Sequence, residues 1–252
     1  MIGVCICGAR GRMGRMLVEL VEQAGDLTLV AALERPGHPE LDLALGDGAR
    51  LTDDARGAIE SAGVVLDFSL PLSVSEHVAL AAEAGKPFVS GTTGLDREQL
   101  DTIRRAAERI PVVQAFNMSR GIHLLGRLVA EAARSLAGHD AEIFEIHHAA
   151  KADAPSGTAL KLAEIVTTER GGRRVYARAA RRLPGEVGIS SARGGDVVGE
   201  HQVMFLGPGE QLVLTHRATT REHFCTGALD ALRFAARAAP GLYGMDEVFG
   251  ES

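Results

Sequence analysis

The stretch MIGVCICGARGRMGRMLVELVEQAG, Met1 to Gly25, decides the fold. An apolar run from Ile2 to Cys7 enters a glycine loop, and Met16, Leu17, Leu20 and Val21 then recur at helical spacing. The pattern is strand, glycine turn, helix. Gly8, Gly11 and Gly14 have the spacing G-x-x-G-x-x-G, with Arg10 where the dinucleotide fingerprint G-x-G-x-x-G expects its middle glycine. Glycines let backbone approach a pyrophosphate closely, and the N-terminus of a helix offers unpaired N–H groups and a favourable dipole. Glu34, twenty residues past Gly14, is placed to accept hydrogen bonds from an adenosine ribose, which favours NADH. Arg35 beside it, or Arg12, can pair with a 2′-phosphate, which favours NADPH; use of both cofactors is expected. The alternatives are a purely structural turn for the loop and solvated surface charges for the two arginines.

Outward from this stretch, strands and helices alternate. TLVAAL (Thr28 to Leu33) and VVLDFS (Val64 to Ser69) read as strands, and SVSEHVALAAEAG reads as a helix. KPFVSGTTG is a strand running into a glycine loop, LDREQLDTIRRAAERI a helix, and PVVQAFN a strand ending at a polar loop. The fold class is therefore α/β, a Rossmann-like parallel sheet with helices on both faces. Strand ends then bring Gly91, Thr92 and Thr93, and Phe116, Asn117, Met118 and Ser119, toward the cofactor. Their alternative role is capping the helices that follow.

The bulk numbers suit a soluble enzyme. The chain has 252 residues, enough for one large domain or two modest ones, and a net charge of −6 that gives no support for a nucleic-acid partner. The three cysteines, Cys5, Cys7 and Cys225, are a poor disulfide framework. Cys5 and Cys7 have the spacing of half a metal site, but no second pair follows, and no metal is expected. The N-terminus has no secretory pattern and no apolar run reaches membrane-spanning length, so a cytoplasmic location is expected.

After a helix beginning near Arg120 the pattern changes. DAEIFEIHHA reads as a strand, Thr158 to Thr168 as a helix, and GEVGISSARGG, GEHQVMFLG and EQLVLTHRATT as further strands of a mixed α+β unit. REHFCTGALDALRFAARAA is helical and is expected to return to the first domain. EIFEIHHAAKADAPSGTALKLAE, Glu142 to Glu164, concentrates chemistry. If the strand continues through His147 and His148, the two face opposite sides; if it ends there, both can reach one ligand. Asp153-Ala154-Pro155 is a turn, Ser156 a candidate N-cap, and Gly157 and Thr158 then expose N–H groups at a first helical turn. With Lys151 nearby, the pocket suits a substrate carrying carboxylates. Each residue alone has a plainer reading, a core histidine or a surface lysine.

These motifs resemble those of the 4-hydroxy-tetrahydrodipicolinate (dihydrodipicolinate) reductase family of lysine biosynthesis. The likeness rests on E-x-H-H-x-x-K-x-D-A-P-S-G-T-A, with GRMG, GTTG, NMSRG, RGGDVVGEH and THRATTREHFCTGAL, and spans nearly the whole chain. It implies a dinucleotide-binding domain of residues 1–118 plus 221–252 and a substrate-binding and tetramerisation domain of residues 119–220, joined by hinges, in a homotetramer. It implies NAD(P)H-dependent reduction of (2S,4S)-4-hydroxy-2,3,4,5-tetrahydrodipicolinate to (S)-2,3,4,5-tetrahydrodipicolinate with loss of water, hydride going to C4 and a proton to C3. His147 then resembles the acid/base residue and Lys151 the companion proton donor, and C3 takes its proton from one of them. His148, Gly157 and Thr158 resemble the carboxylate binders. Gly8, Arg10, Gly11, Arg12, Met13 and Gly14 correspond to the pyrophosphate loop, and Glu34 and Arg35 to the specificity pair. Two other readings compete: a noncatalytic nucleotide sensor, and a reductase of a related small dicarboxylate imine.

Overall fold

A computed structural model describes residues 1–46 and 48–250. The chain forms two compact units, Met1–Met118 with Glu222–Ser252, and Ser119–Arg221.

The first unit is built on an eight-stranded sheet of order β13-β7-β6-β5-β1-β2-β4-β3. Its strands are β1 (Ile2–Cys7), β2 (Leu27–Leu33), β3 (Ala44–Leu45), β4 (Ala49–Thr52), β5 (Val64–Asp67), β6 (Phe88–Ser90), β7 (Pro111–Gln114) and β13 (Gly241–Tyr243). All pairings are parallel except β3 with β4. Parallel strands buried on both faces read as continuous apolar runs, as IGVCIC and VVLD do. Alternate residues serve opposite faces. Val4 and Ile6 pack with Leu17 and Val21 of α1 (Arg12–Gln23) and Leu229 and Leu232 of α7 (Glu222–Ala235). Cys5 and Cys7 turn the other way, toward Ile59 of α2 (Ala55–Ser61), Val74 and Val78 of α3 (Pro71–Glu83) and Ile103 of α4 (Arg97–Ala107). All three cysteines are free and buried, and burial pushes the Cys225 thiol up to about 11.

Strand order runs outward from β1 to β2 and β4, then restarts at β5 on the other side of β1. Ligands of open α/β sheets bind where the order reverses, at the carboxyl ends of the strands. That point is flanked by the loops after β1 and β5. The two loops are in contact, since a Cβ on Gly8 would lie 2.7 Å from the Phe68 carbonyl oxygen.

The second unit is a five-stranded mixed sheet of order β12-β11-β8-β10-β9. Its strands are β8 (Asp140–His147), β9 (Arg173–Tyr176), β10 (Glu186–Arg193), β11 (Gly199–Gly207) and β12 (Glu210–Ala218). β10 runs parallel to β8 and β9, and β11 antiparallel to β8 and β12. One face is covered by α5 (Arg120–Ser135) and α6 (Gly157–Arg170). There Leu125, Val129, Leu162 and Val166 meet Ile143, Ile189, Val203 and Phe205. Alternation puts Phe144, Ile146, Met204 and Leu206 on the opposite face. A short helix α8 (Met245–Val248) closes the chain's described part. Among the described residues no helix is long and apolar enough to cross a membrane.

Candidate active site

In the first unit the loop after β1 has the form a phosphate needs. Gly8 has φ +79°, a left-handed value natural to glycine, and donates its N–H to the Leu33 carbonyl at 2.9 Å. Gly14 has no room for a side chain: a Cβ there would stand 2.1 Å from the Gly8 oxygen and 2.7 Å from Ala9. Gly11 is the N-cap of α1 and brings no side-chain cap, so the first-turn N–H groups have no intrahelical or side-chain acceptor from that position. The Glu34 carboxylate is held over the loop, accepting the backbone N–H of Arg10 at 2.9 Å and of Arg35 at 3.2 Å. The Arg10 guanidinium is turned to Glu40 in a two-pronged pair, one contact at 3.0 Å. Arg12 and Arg35 are exposed and Met13 is half-buried. These residues fit a dinucleotide.

The later strand ends divide by role. Thr93 and Phe116 are exposed. Thr92 is buried, and its hydroxyl donates to Asp67 Oδ1 at 2.9 Å. The same buried carboxylate takes His77 Nδ1 at 2.6 Å and the Ser69 N–H at 3.0 Å. The hydroxyl of Thr92 therefore braces the loop from inside. Gly91 sits flush on a ring, because a Cβ would come within 2.2 Å of Phe68. The side chain of Met118 lies in the core, and Ser119 caps α5 by accepting the Ile122 N–H at 3.2 Å. Asn117 lies between them, half-buried.

In the second unit β8 ends at His147. The His147 carbonyl accepts from Gly194, and Ala149 donates to Gly195, so the chain leaves the sheet at the histidine pair. His147 and His148 are thereby released from strict alternation. Lys151 follows, its N–H on the His148 carbonyl at 3.1 Å and its ammonium 2.6 Å from Asp153 Oδ1. Burial raises the Asp153 pKa, but the Lys151 hydrogen bond and charge outweigh it and leave the group lowered. His148 Nε2 lies 3.5 Å from an Arg221 nitrogen. Ser156 caps α6 through the Ala159 N–H at 3.2 Å, and Gly157 and Thr158 occupy its first turn. The turn and helix start are those expected from the sequence.

Sequence reasoning passed over what stands behind His147. Glu145, two residues earlier on the same face, is fully buried. One oxygen meets His147 Nδ1 at 2.5 Å, and Arg193 clamps both oxygens at 2.8 and 3.0 Å. The Ser156 N–H donates to it at 3.2 Å. Burial pushes this carboxyl's pKa up, yet Arg193, Ser191, His147 and the Ser156 N–H together hold it at about 2. His201, opposite Glu145 in the β8–β11 register, is buried with Nε2 3.0 Å from Ser156 Oγ. Burial drives its pKa down to about 4, with the neighbouring His147 charge acting the same way. Burial also lowers the His147 pKa; Glu145 opposes this, while Lys151 and Arg193 add to the lowering. A carboxylate in the inward row Ala141, Ile143, Glu145 was the available signal, since an ionised group enters a core only when paired.

A parallel sheet with a glycine loop at its switch point, beside a second unit rich in paired ionisable groups, defines a nicotinamide-dinucleotide-binding oxidoreductase architecture. Residues 2–118 match the family model described as dihydrodipicolinate reductase, N-terminus, and residues 121–249 match dihydrodipicolinate reductase, C-terminus. The chain belongs to the dihydrodipicolinate reductase family. A 4-hydroxy-tetrahydrodipicolinate reductase from Anaeromyxobacter sp. is 44% identical over 99% of this chain and 98% of its own length. Another from Nitrosomonas eutropha is 40% identical with the same coverages. A dipicolinate-bound dihydrodipicolinate reductase from Paenisporosarcina sp. superposes with a TM-score of 0.82 at 28% identity, covering 98% of both chains.

Proposed function

We propose that the protein reduces (2S,4S)-4-hydroxy-2,3,4,5-tetrahydrodipicolinate to (S)-2,3,4,5-tetrahydrodipicolinate with loss of water, as part of lysine biosynthesis in the cytoplasm. The observation that carries this reading is the grouping of His147, His148 and Lys151 at the end of β8 just ahead of the Ser156-capped start of α6. When bound, NADH or NADPH supplies the hydride that goes to C4. Gly8, Arg10, Gly11, Arg12, Met13 and Gly14 take its pyrophosphate end, Glu34 and Arg35 its adenosine ribose. Gly91, Thr92, Thr93, Phe116, Asn117, Met118 and Ser119 line the nicotinamide side, several through backbone alone.

His147 is the acid/base residue and Lys151 the second proton donor and anion partner. His148 holds one substrate carboxylate, and the N–H groups of Gly157 and Thr158, with the Thr158 hydroxyl, hold the other. In this reading Met1–Met118 with Glu222–Ser252 is the cofactor domain, and Ser119–Arg221 binds substrate and assembles the tetramer. The apolar face bearing Phe144, Ile146 and Met204 supports self-association, as does exposed Val213 on β12.

Oxidation of NADH and of NADPH, followed by loss of dihydronicotinamide absorbance with freshly generated substrate, tests the reading. Substrate-dependent turnover is expected with both cofactors. Folded protein that binds NADH yet turns nothing over would point instead to a sensor or to another imine. For cofactor choice, Arg35→Ala is expected to weaken NADPH more than NADH; equal weakening removes Arg35 from the 2′-phosphate.

A further inference from the structure

The reaction requires a histidine that presents one nitrogen to substrate in one tautomer. Imidazole chooses its tautomer by what the other nitrogen meets. Here Nδ1 of His147 meets Glu145 at 2.5 Å, and Glu145 can only accept, because Arg193 takes both its oxygens and the Ser156 N–H adds a third donor. The register of the sheet builds this arrangement. Ser191 and His201 stand opposite Glu145 on the two neighbouring strands, and Arg193 stands opposite His147. On the other edge of the ring there is space of a defined kind. A Cβ on Gly199 would lie 2.9 Å from His147 Nε2 and 3.1 Å from Cδ2, so only glycine leaves that nitrogen uncrowded.

Resting on the reductase reading above, we propose that Glu145 is the positioning residue of the reaction: it takes the Nδ1–H of His147, fixes the Nδ1–H tautomer, and leaves Nε2, kept open by Gly199, as the nitrogen that exchanges the proton.

In the donating step the N–H bond at Nε2 breaks with its electron pair staying on nitrogen, and a C–H bond forms on the substrate carbon. Imidazolium becomes neutral imidazole still hydrogen-bonded to Glu145. Four ionisable groups face the ring. Arg193 and Lys151 disfavour its protonated form, and His201, whose ring centroid is 5.1 Å away in edge-to-face contact, is itself held neutral by burial. Glu145 is the one that favours the imidazolium. Its removal therefore lowers the pH at which His147 gains its proton, and frees the ring to take the other tautomer.

Glu145→Gln keeps size and an acceptor oxygen but loses the charge. We expect kcat to fall on the order of 10²-fold, the scale of a misplaced general acid or base. KM for NADH should not change, and the alkaline limb of the kcat–pH profile, where the donor loses its proton, should move to lower pH. Glu145→Asp, which keeps the charge at a shorter reach, should recover part of kcat. Parental kcat and an unmoved alkaline limb in Glu145→Gln overturn the proposal. Because that variant strands Arg193, nitrogen NMR of the histidine-labelled parent protein provides an independent test. A protonated Nδ1 and bare Nε2 on His147 support the assignment, and the reverse tautomer overturns it. Absence of turnover by the parent protein would instead sink the reductase reading, and the spectrum would still decide the tautomer.

Discussion

The two sheets carry different chemistry at their strand ends. At the switch point of the first, the loop is shaped by backbone: Gly8 at positive φ, Gly14 without room for a methyl group, and a first helical turn that Gly11 leaves without a side-chain cap. On the second, the strand end carries ionised side chains held against burial, with Glu145 fully buried between Arg193 and His147. The difference teaches where each unit is vulnerable. At its glycine loop the first is expected to break most readily by added volume. At Glu145 the second is expected to break most readily by lost charge.

His147→Ala is the largest expected effect, a fall in kcat of about 10²- to 10⁴-fold with NADH affinity unchanged by direct titration. Turnover near the parental rate would remove the acid/base role and the comparison with it. Gly14→Ala comes next. Its Cβ has no space against Gly8 and Ala9, so NADH binding should weaken by on the order of 10²-fold or more while the second unit keeps its fold. Fluorescence titration with circular dichroism reads both, and unaltered affinity would mean the loop is not the pyrophosphate site.

The third prediction concerns acid stability. His201 has a folded pKa of about 4 against an ordinary 6.5, so the unfolded chain takes up its proton first as pH falls. Its contribution is complete above pH 6.5 and is lost on the way down to 4. The loss amounts to about 3 kcal/mol by linkage. Thermal melts across that window should flatten in His201→Gln. A parent Tm that does not fall between those limits contradicts the buried neutral state.

The smallest effect belongs to the Arg10–Glu40 ion pair of the first unit. Glu40→Gln should release Arg10 for a 2′-phosphate and raise the NADPH to NADH ratio of kcat/KM by about 3- to 10-fold. An unchanged ratio leaves Arg10 outside the adenosine end.

What could be read from the sequence followed from periodicity. β1, the glycine loop and α1 were legible because apolar spacing changes from continuous to helical within a few residues. The cap at Ser156 and the helix after it were legible from a turn signal. β3, β9 and β13 were not anticipated, since two to four residues carry too little pattern. The fate of the histidine pair stayed open because alternation cannot say where a strand ends. The bracing of His147 was hidden for a deeper reason. Alternation tells which face Glu145, Arg193 and His201 occupy, but only strand register tells that they meet, and register is set by pairings between strands distant in sequence, Glu145 with Ser191 and with His201. Thr92 likewise looked like a ligand group until the buried Asp67 claimed its hydroxyl.

The first unit is discontinuous, and that has a consequence for the order in which the protein is made. One wall of its core, Leu229 and Leu232 of α7, packs on Val4 and Ile6, residues synthesised at the opposite end of the chain. Gly227 lies so close beneath Met118 that a Cβ would sit 1.7 Å from its carbonyl oxygen. On the ribosome, the segment Ser119–Arg221 therefore has all of its own residues before the unit that surrounds it in the sequence. The first unit can close only once α7 has been made, and a chain stopped short of α7 leaves bare the apolar sheet face that Leu229 and Leu232 cover.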